Sequence, residues 1–322
     1  MAVKGMFVTA GIRIGIALAI SLFVAPVFAQ SLPAPNNFLD KDVTFKTDVN
    51  LVLLDVSVRN KKGGFVSGLE KNNFRVFEDN KPQTVTQFSN ADIPVTVGLV
   101  IDSSGSMRQK RPEVITAALV FIQASNPQDE TFVVNFNDDA KFGLPPSIPF
   151  SDNIAQLRAA LWMGDPDGRT SLYDAIVTAL GRLEEGHRGR KALIVVSDGG
   201  DNHSQHTFAE TLQQVEESRS TIYTVGTFDE NDPDRNPRVL RRLSGVSGGV
   251  TYLPKTLTEV PDVCRQIARD IRTRYTIGYV PPNPGQPGKR RIRVEVSAPD
   301  YGKLIPHTRS LYVVPGDSKS EK

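Results

Sequence analysis

Asp102, Ser104 and Ser106 alternate in the segment Asp102-Ser103-Ser104-Gly105-Ser106. One carboxylate and two hydroxyls form an all-oxygen set, which suits a hard divalent cation. Two other segments offer donors of the same kind. Thr170 closes Asp167-Gly168-Arg169-Thr170, and Asp198 opens Asp198-Gly199-Gly200-Asp201. Hydroxyls are neutral, so three of them beside two carboxylates leave a bound cation attractive to a further anion. The expected ion is Mg²⁺, with Mn²⁺ or Ca²⁺ as substitutes. The expected visitor is an Asp or Glu carboxylate on a partner protein.

The surrounding pattern says how these donors meet. Val95–Ile101 is an unbroken apolar run that reads as a buried strand, and Asp102 follows it directly. Gly105 is expected to let the turn bend tightly. Further strands are expected at Thr131–Phe136, Ala192–Ser197, Thr221–Val225 and Gly249–Leu253. Helices are expected at Pro112–Ser125, Ile154–Leu161, Leu172–Glu184, Phe208–Ser220 and Pro237–Ser244. Such alternation means a mostly parallel, doubly wound α/β sheet with helices on both faces. Ligands in these sheets gather beyond the carboxyl ends of the strands, where all three donor loops lie. Ser171 with Asp174, and Thr207 with Glu210, have the spacing of capping boxes.

The stretches DSSGSM, GRTSLYDAI and VVSDGGDN resemble the three loops of the von Willebrand factor A (VWFA) domain that form its metal ion-dependent adhesion site. The likeness spans about residues 93–272 and implies a Rossmann-like fold. It also implies that Ser104, Ser106 and Thr170 contact the metal, Thr170 through water in one state. Asp102 and Asp198 would bind directly or through water while orienting the hydroxyls. The flanks, NNFRVFEDNKPQTVTQFS and RYTIGYVPPN followed by RRIRVEVSAP, resemble exported VWFA-related proteins of Acidobacteria.

Those flanks are β-patterned. Val52, Leu54, Val56 and Val58 alternate, Phe74–Glu78 and Thr84–Phe88 follow, and Tyr275–Val280, Arg291–Val296 and Ser310–Val314 recur near the end. Each half is too small for its own core. The expectation is one β-sandwich built from N- and C-terminal strands, with the VWFA domain inserted between them. The predicted organisation is a signal peptide at 1–29, a linker at 30–44 and an N-terminal β segment at 45–91. The VWFA domain follows at 92–273, a C-terminal β segment at 274–315 and a disordered tail at 316–322.

Lys4 and Arg13 precede the apolar run Ile14–Val24, and Val27-Phe28-Ala29 supplies a cleavage pattern. The protein is therefore expected to be exported to the periplasm, cell surface or medium, with no stable membrane span after cleavage. The lone cysteine, Cys264, sits among Val260, Val263, Ile267 and Ile271 at helical spacing and reads as a core thiol. Net charge is only +2 and no basic stripe carries interleaved aromatics, which argues against nucleic acid.

The surroundings of Ser104 and Ser106 lack a G-x-S-x-G elbow, and the chain has no P-loop or G-x-G-x-x-G. The residues thus favour a binding protein over an enzyme. The alternatives are a hydrolase using the same metal and a purely structural envelope protein. His203 and His206 have a spacing open to Zn²⁺ but read as surface histidines. Asp229, Glu230, Asp232 and Asp234 read as a solvated acidic loop or a second, Ca²⁺-like site. Arg238, Arg241 and Arg242 read as the exposed face of a helix that buries Val239, Leu240 and Leu243.

Overall fold

The computed structural model describes residues 51–228, 235–284 and 286–314. The predicted signal peptide, linker, acidic loop 229–234 and tail 316–322 lie outside these residues.

The alternating apolar residues of β1 (Val52–Asn60) give it one buried face. β2 (Phe74–Glu78) and β3 (Lys81–Gln83) form a hairpin, and β4 (Val85–Ser89) follows. Asp79 and Asn80 carry the hairpin turn at φ 46° and 65°, left-handed values that Asp and Asn tolerate.

The α/β region starts at β5 (Val95–Asp102), buried along its whole length, and continues through α1 (Arg111–Ala124) and β6 (Glu130–Phe136). Next come β7 (Ala140–Phe142), α2 (Ile154–Trp162), α3 (Leu172–Glu184) and β8 (Arg190–Ser197). α4 (Phe208–Glu217), β9 (Thr221–Gly226), α5 (Pro237–Ser247), β10 (Thr251–Tyr252) and α6 (Val260–Arg272) complete it. The six strands run in the order β10-β9-β8-β5-β6-β7. All pairs are parallel except the short antiparallel β6–β7 pair. α1 packs with α2 and α6, while α4 packs with α3 and α5. The strand order reverses between β5 and β8, so the carboxyl ends of these two neighbours border the switch point.

The chain then returns to β structure with β11 (Tyr275–Tyr279), β12 (Gly288–Val296), β13 (Leu304–His307) and β14 (Leu311–Val314). N- and C-terminal strands pair as expected. One sheet has the order β13-β1-β11-β4 and the other β14-β12-β2-β3. Between them Leu54, Val56, Phe74, Val76, Tyr275 and Ile277 form a separate core. Tyr279 of one sheet and Tyr312 of the other both donate to the buried Glu78 carboxylate, at 2.7 and 2.9 Å.

Cys264 is buried, and burial pushes its thiol up to about 12. Arg238, Arg241 and Arg242 are exposed while Val239, Leu240 and Leu243 are buried. Two local expectations are corrected. β3, β7 and β13 were not anticipated. The Ser171–Asp174 capping box does not form, because both side chains are engaged elsewhere: Ser171 donates to the Asp138 carbonyl at 2.8 Å, and Asp174 holds His206. The Thr207–Glu210 box forms in full.

Asp129 is buried just before β6, where its two oxygens accept the Val95 and Asn126 amides at 2.7 and 3.2 Å. Burial pushes its carboxyl up to about 6, against an unfolded value near 3.8. Between about pH 4 and pH 6 the folded state holds the proton that the unfolded chain has lost, so this group's contribution to stability falls as pH rises. Urea unfolding across that window should show a stability decrease of about 2 kcal/mol that Asp129→Asn lacks. Equal pH slopes for the two proteins would contradict it.

Candidate metal centre

Strand geometry brings the first two carboxylates together. β5 and β8 are hydrogen-bonded neighbours with Ile101 opposite Val196, so Asp102 and Asp198 leave adjacent strand ends. Ser197, fully buried, donates its hydroxyl to Asp102 Oδ2 at 2.8 Å. The other Asp102 oxygen accepts both the Ser104 amide, at 2.9 Å, and the Ser104 hydroxyl, at 2.6 Å. That Asx turn fixes Ser104 facing the acid. Ser104 Oγ lies 3.2 Å from Ser106 Oγ, which donates to Asp198 Oδ2 at 3.1 Å. Asp198 is held in the same manner as Asp102, its Oδ1 accepting the Gly200 amide at 3.0 Å. Four of the five expected donors thus form a continuous chain of side-chain contacts.

The backbone of Thr170, the fifth, is held by the third loop. Its amide donates to Asn202 Oδ1 at 2.9 Å, and its carbonyl accepts the Asn202 and His203 amides at 3.0 and 3.1 Å. The Thr170 loop is tied to the first loop by Gly105 N to Gly168 O, at 3.2 Å, and by Asp167 N to Ser103 O, at 3.1 Å. Asp102, Ser104, Thr170 and Asp198 are buried, whereas Ser106 is exposed, so the centre opens to solvent on the Ser106 side.

The glycine expectation needs correcting. Gly105 is not in the left-handed region; its part is the amide that joins two loops. The backbone freedom is needed at Gly168 and Gly199, both at φ 81°. A Cβ at Gly168 would collide with the Asp138 carboxylate, and one at Gly199 with the Asn236 carbonyl.

Around the rim, Arg108 pairs with Asp167 at 2.9 Å and Arg169 with Asp138 at 3.1 Å. The two histidines diverge: His203 meets Arg169 at 2.9 Å and His206 meets Asp174 at 2.7 Å. Sequence reading missed Ser197, Asn202 and Asp201. Asp201 accepts the Tyr173 amide at 3.0 Å and so anchors α3 to the third loop.

Residues 97–200, which hold all five donors, match the family model of the von Willebrand factor type A domain. Over these residues the chain carries a von Willebrand factor type A domain. Among solved structures, this A domain region and its surroundings are similar to a von Willebrand factor type A protein from Catenulispora acidiphila. Identity is 14%, covering 81% of this chain and 73% of that one, with a TM-score of 0.49. The vWF domain of the type V pili tip protein Mfa5 from Porphyromonas gingivalis is 13% identical, over 56% of this chain and 96% of that one, at a TM-score of 0.47. The PilB minor pilin from Streptococcus sanguinis is 12% identical, over 57% and 63%, at 0.46. No curated protein matches the chain.

The donor chemistry of the A domain fits a hard cation. The Asp102 carboxyl is pushed up to about 6, first by burial and next by the charge of Asp198; only hydrogen bonds from Ser104 and Ser197 oppose this. Two acids share a buried corner with oxygen neighbours, and a divalent cation there would supply the positive charge that offsets them.

Proposed function

We propose that the chain is an exported binding protein, and not an enzyme, whose A domain holds Mg²⁺ through Asp102, Ser104, Ser106, Thr170 and Asp198. The metal supplies an electrophilic position on the Ser106 side, open to an Asp or Glu carboxylate of a partner protein. The observation that carries this reading is the contact chain from Asp102 through Ser104 and Ser106 to Asp198. The serine hydroxyls face carboxylates and each other, whereas the imidazoles of His203 and His206 are engaged with Arg169 and Asp174. A serine nucleophile requires a base within hydrogen-bond reach, so this arrangement favours binding. Export rests on the signal-peptide pattern of residues 1–29. Among the described residues, no helix is long and apolar enough to cross a membrane.

The immobilised chain should capture an envelope protein from its source cells in Mg²⁺ and release it in EDTA. In the absence of partner, Mg²⁺ at about 100 times its dissociation constant should stabilise the fold by about 2.7 kcal/mol. Retention of the captured protein in EDTA, or a melting temperature indifferent to Mg²⁺, would contradict the proposal.

A further inference from the structure

α5 begins against the candidate metal centre. The Asn236 amide donates to the Asp198 carbonyl at 2.9 Å, and the Asn236 side chain caps the helix at the Val239 amide, at 3.3 Å. Gly199 lies so close to the Asn236 carbonyl that a side chain there would clash. The start of α5 and the Asp198 loop are therefore fixed to each other.

Arg235 precedes this helix, and Arg238, Arg241 and Arg242 share its outward face at i, i+3 and i+4 spacing. All four are exposed, and among the described residues none is ion-paired. The carboxylates of the adjoining α4 are occupied: Glu210 by its capping box, Glu216 by Lys289 at 2.7 Å and Glu217 by Gln213 at 2.9 Å. The rim arginines of the first two loops, Arg108 and Arg169, already have acidic partners. Among the described residues bordering the centre, positive charge without an acidic partner thus lies along α5, in a line leading away from the Asp198 loop.

We infer that the partner is an acidic polypeptide segment: one carboxylate reaches the metal and further carboxylates continue along α5 over Arg235, Arg238, Arg241 and Arg242. This rests on the metal-site reading above and specifies the partner's chemistry. The span is suitable. From Arg235 to Arg242 the stripe extends about 10 Å at 1.5 Å per residue, which about three to four extended residues cover. A carboxylate on the metal fixes one end of the segment, and several exposed charge pairs then add small increments that together set register and encounter rate.

The test uses fluorescence anisotropy with a fluorescein-labelled octaglutamate peptide and the full chain in Mg²⁺. Arg238→Glu/Arg241→Glu/Arg242→Glu should weaken peptide binding about tenfold or more. The milder Gln triple variant should weaken it less. Both should retain wild-type Mg²⁺ affinity by calorimetry and a wild-type melting temperature, since the three side chains are exposed. Wild-type peptide affinity in the Glu triple variant, with Mg²⁺ binding intact, would overturn the inference and leave the metal reading standing. Absent Mg²⁺ binding in the parent chain, with a charge-reversal effect still present, would support the stripe and remove the metal. Tighter stripe-dependent binding of a DNA duplex than of octaglutamate would overturn the choice of a polypeptide. Peptide binding that appears only after Asp229, Glu230, Asp232 and Asp234 become amides would give the stripe to the chain's own acidic run, again overturning it.

Discussion

Asp198→Ala should abolish measurable Mg²⁺ binding in calorimetry, a loss of at least about 100-fold, and partner capture should disappear with it. The centre has two carboxylates, and Asp198 bridges the exposed hydroxyl of Ser106 to the third loop. Without it, one acid and neutral hydroxyls remain, too little charge to strip water from a Mg²⁺ ion. The fold should survive. The charge of Asp198 pushes the Asp102 carboxyl upward, so its removal relieves repulsion in the metal-free protein. A metal-free melting temperature at or above wild type, with the Mg²⁺-induced rise gone, separates loss of a ligand from loss of structure. Asp198→Asn keeps the side-chain shape and should fail on metal in the same way. Unchanged Mg²⁺ affinity in either variant would refute the assignment.

The largest stability effect is expected far from the metal, at Arg274. This guanidinium is 3% exposed and joins four parts of the chain. It donates to Tyr223 of β9 at 3.0 Å, to Asp270 of α6 at 3.2 Å, to the Gly248 carbonyl at 2.8 Å and to the Asp55 carbonyl of β1 at 3.2 Å. Asp270 and Tyr223 are fully buried and hydrogen-bonded to each other, and Asp270 pushes the Tyr223 phenol further in the direction that burial drives it, well above its ordinary value. Arg274→Met leaves the Asp270 charge without its main counterion and should cost about 3–5 kcal/mol in urea unfolding. Adding Asp270→Asn should return part of that loss, because the buried charge is then gone, and the double-mutant cycle measures their coupling. A cost below about 1 kcal/mol for the single variant would show that the cluster does not hold the sandwich strand β1 to the α/β sheet.

These two sites differ in how far they could be read in the sequence. The parallel strands announce themselves because both faces are covered, which makes Val95–Ile101 and Ala192–Ser197 continuous apolar runs. α3 runs over the expected Leu172–Glu184 because its apolar residues keep helical period. The donors lie within four residues of a strand end or just before a helix start, so element boundaries almost suffice to gather them. The return strands of the sandwich were legible as strands, and their pairing followed from the small core available to each half.

What stayed hidden depends on partners distant in sequence. Asp270 and Arg274 look like the polar face of a helix end, and the packing of β1, β9 and the Gly248 turn against that end buries them. β13 contains Pro306, which argues against a strand unless it lies at a sheet edge, as β13 does beside β1. β7 is three residues of half-exposed chain. Ser171 has the local sequence of a cap, yet the Asp138 carbonyl and the His206 side chain draw its box apart. The left-handed backbone at Gly168 and Gly199 follows from neighbours 30 or more residues away, Asp138 and Asn236.

Crystals of the full chain grown in Mn²⁺ and measured at the manganese edge test the central claim most directly. The expected result is one anomalous peak bonded to the Ser104 and Ser106 hydroxyls, with Thr170, Asp102 and Asp198 around it and the Ser106 side open. A map with no peak there, or with the Thr170 hydroxyl turned away from the ion, would contradict it.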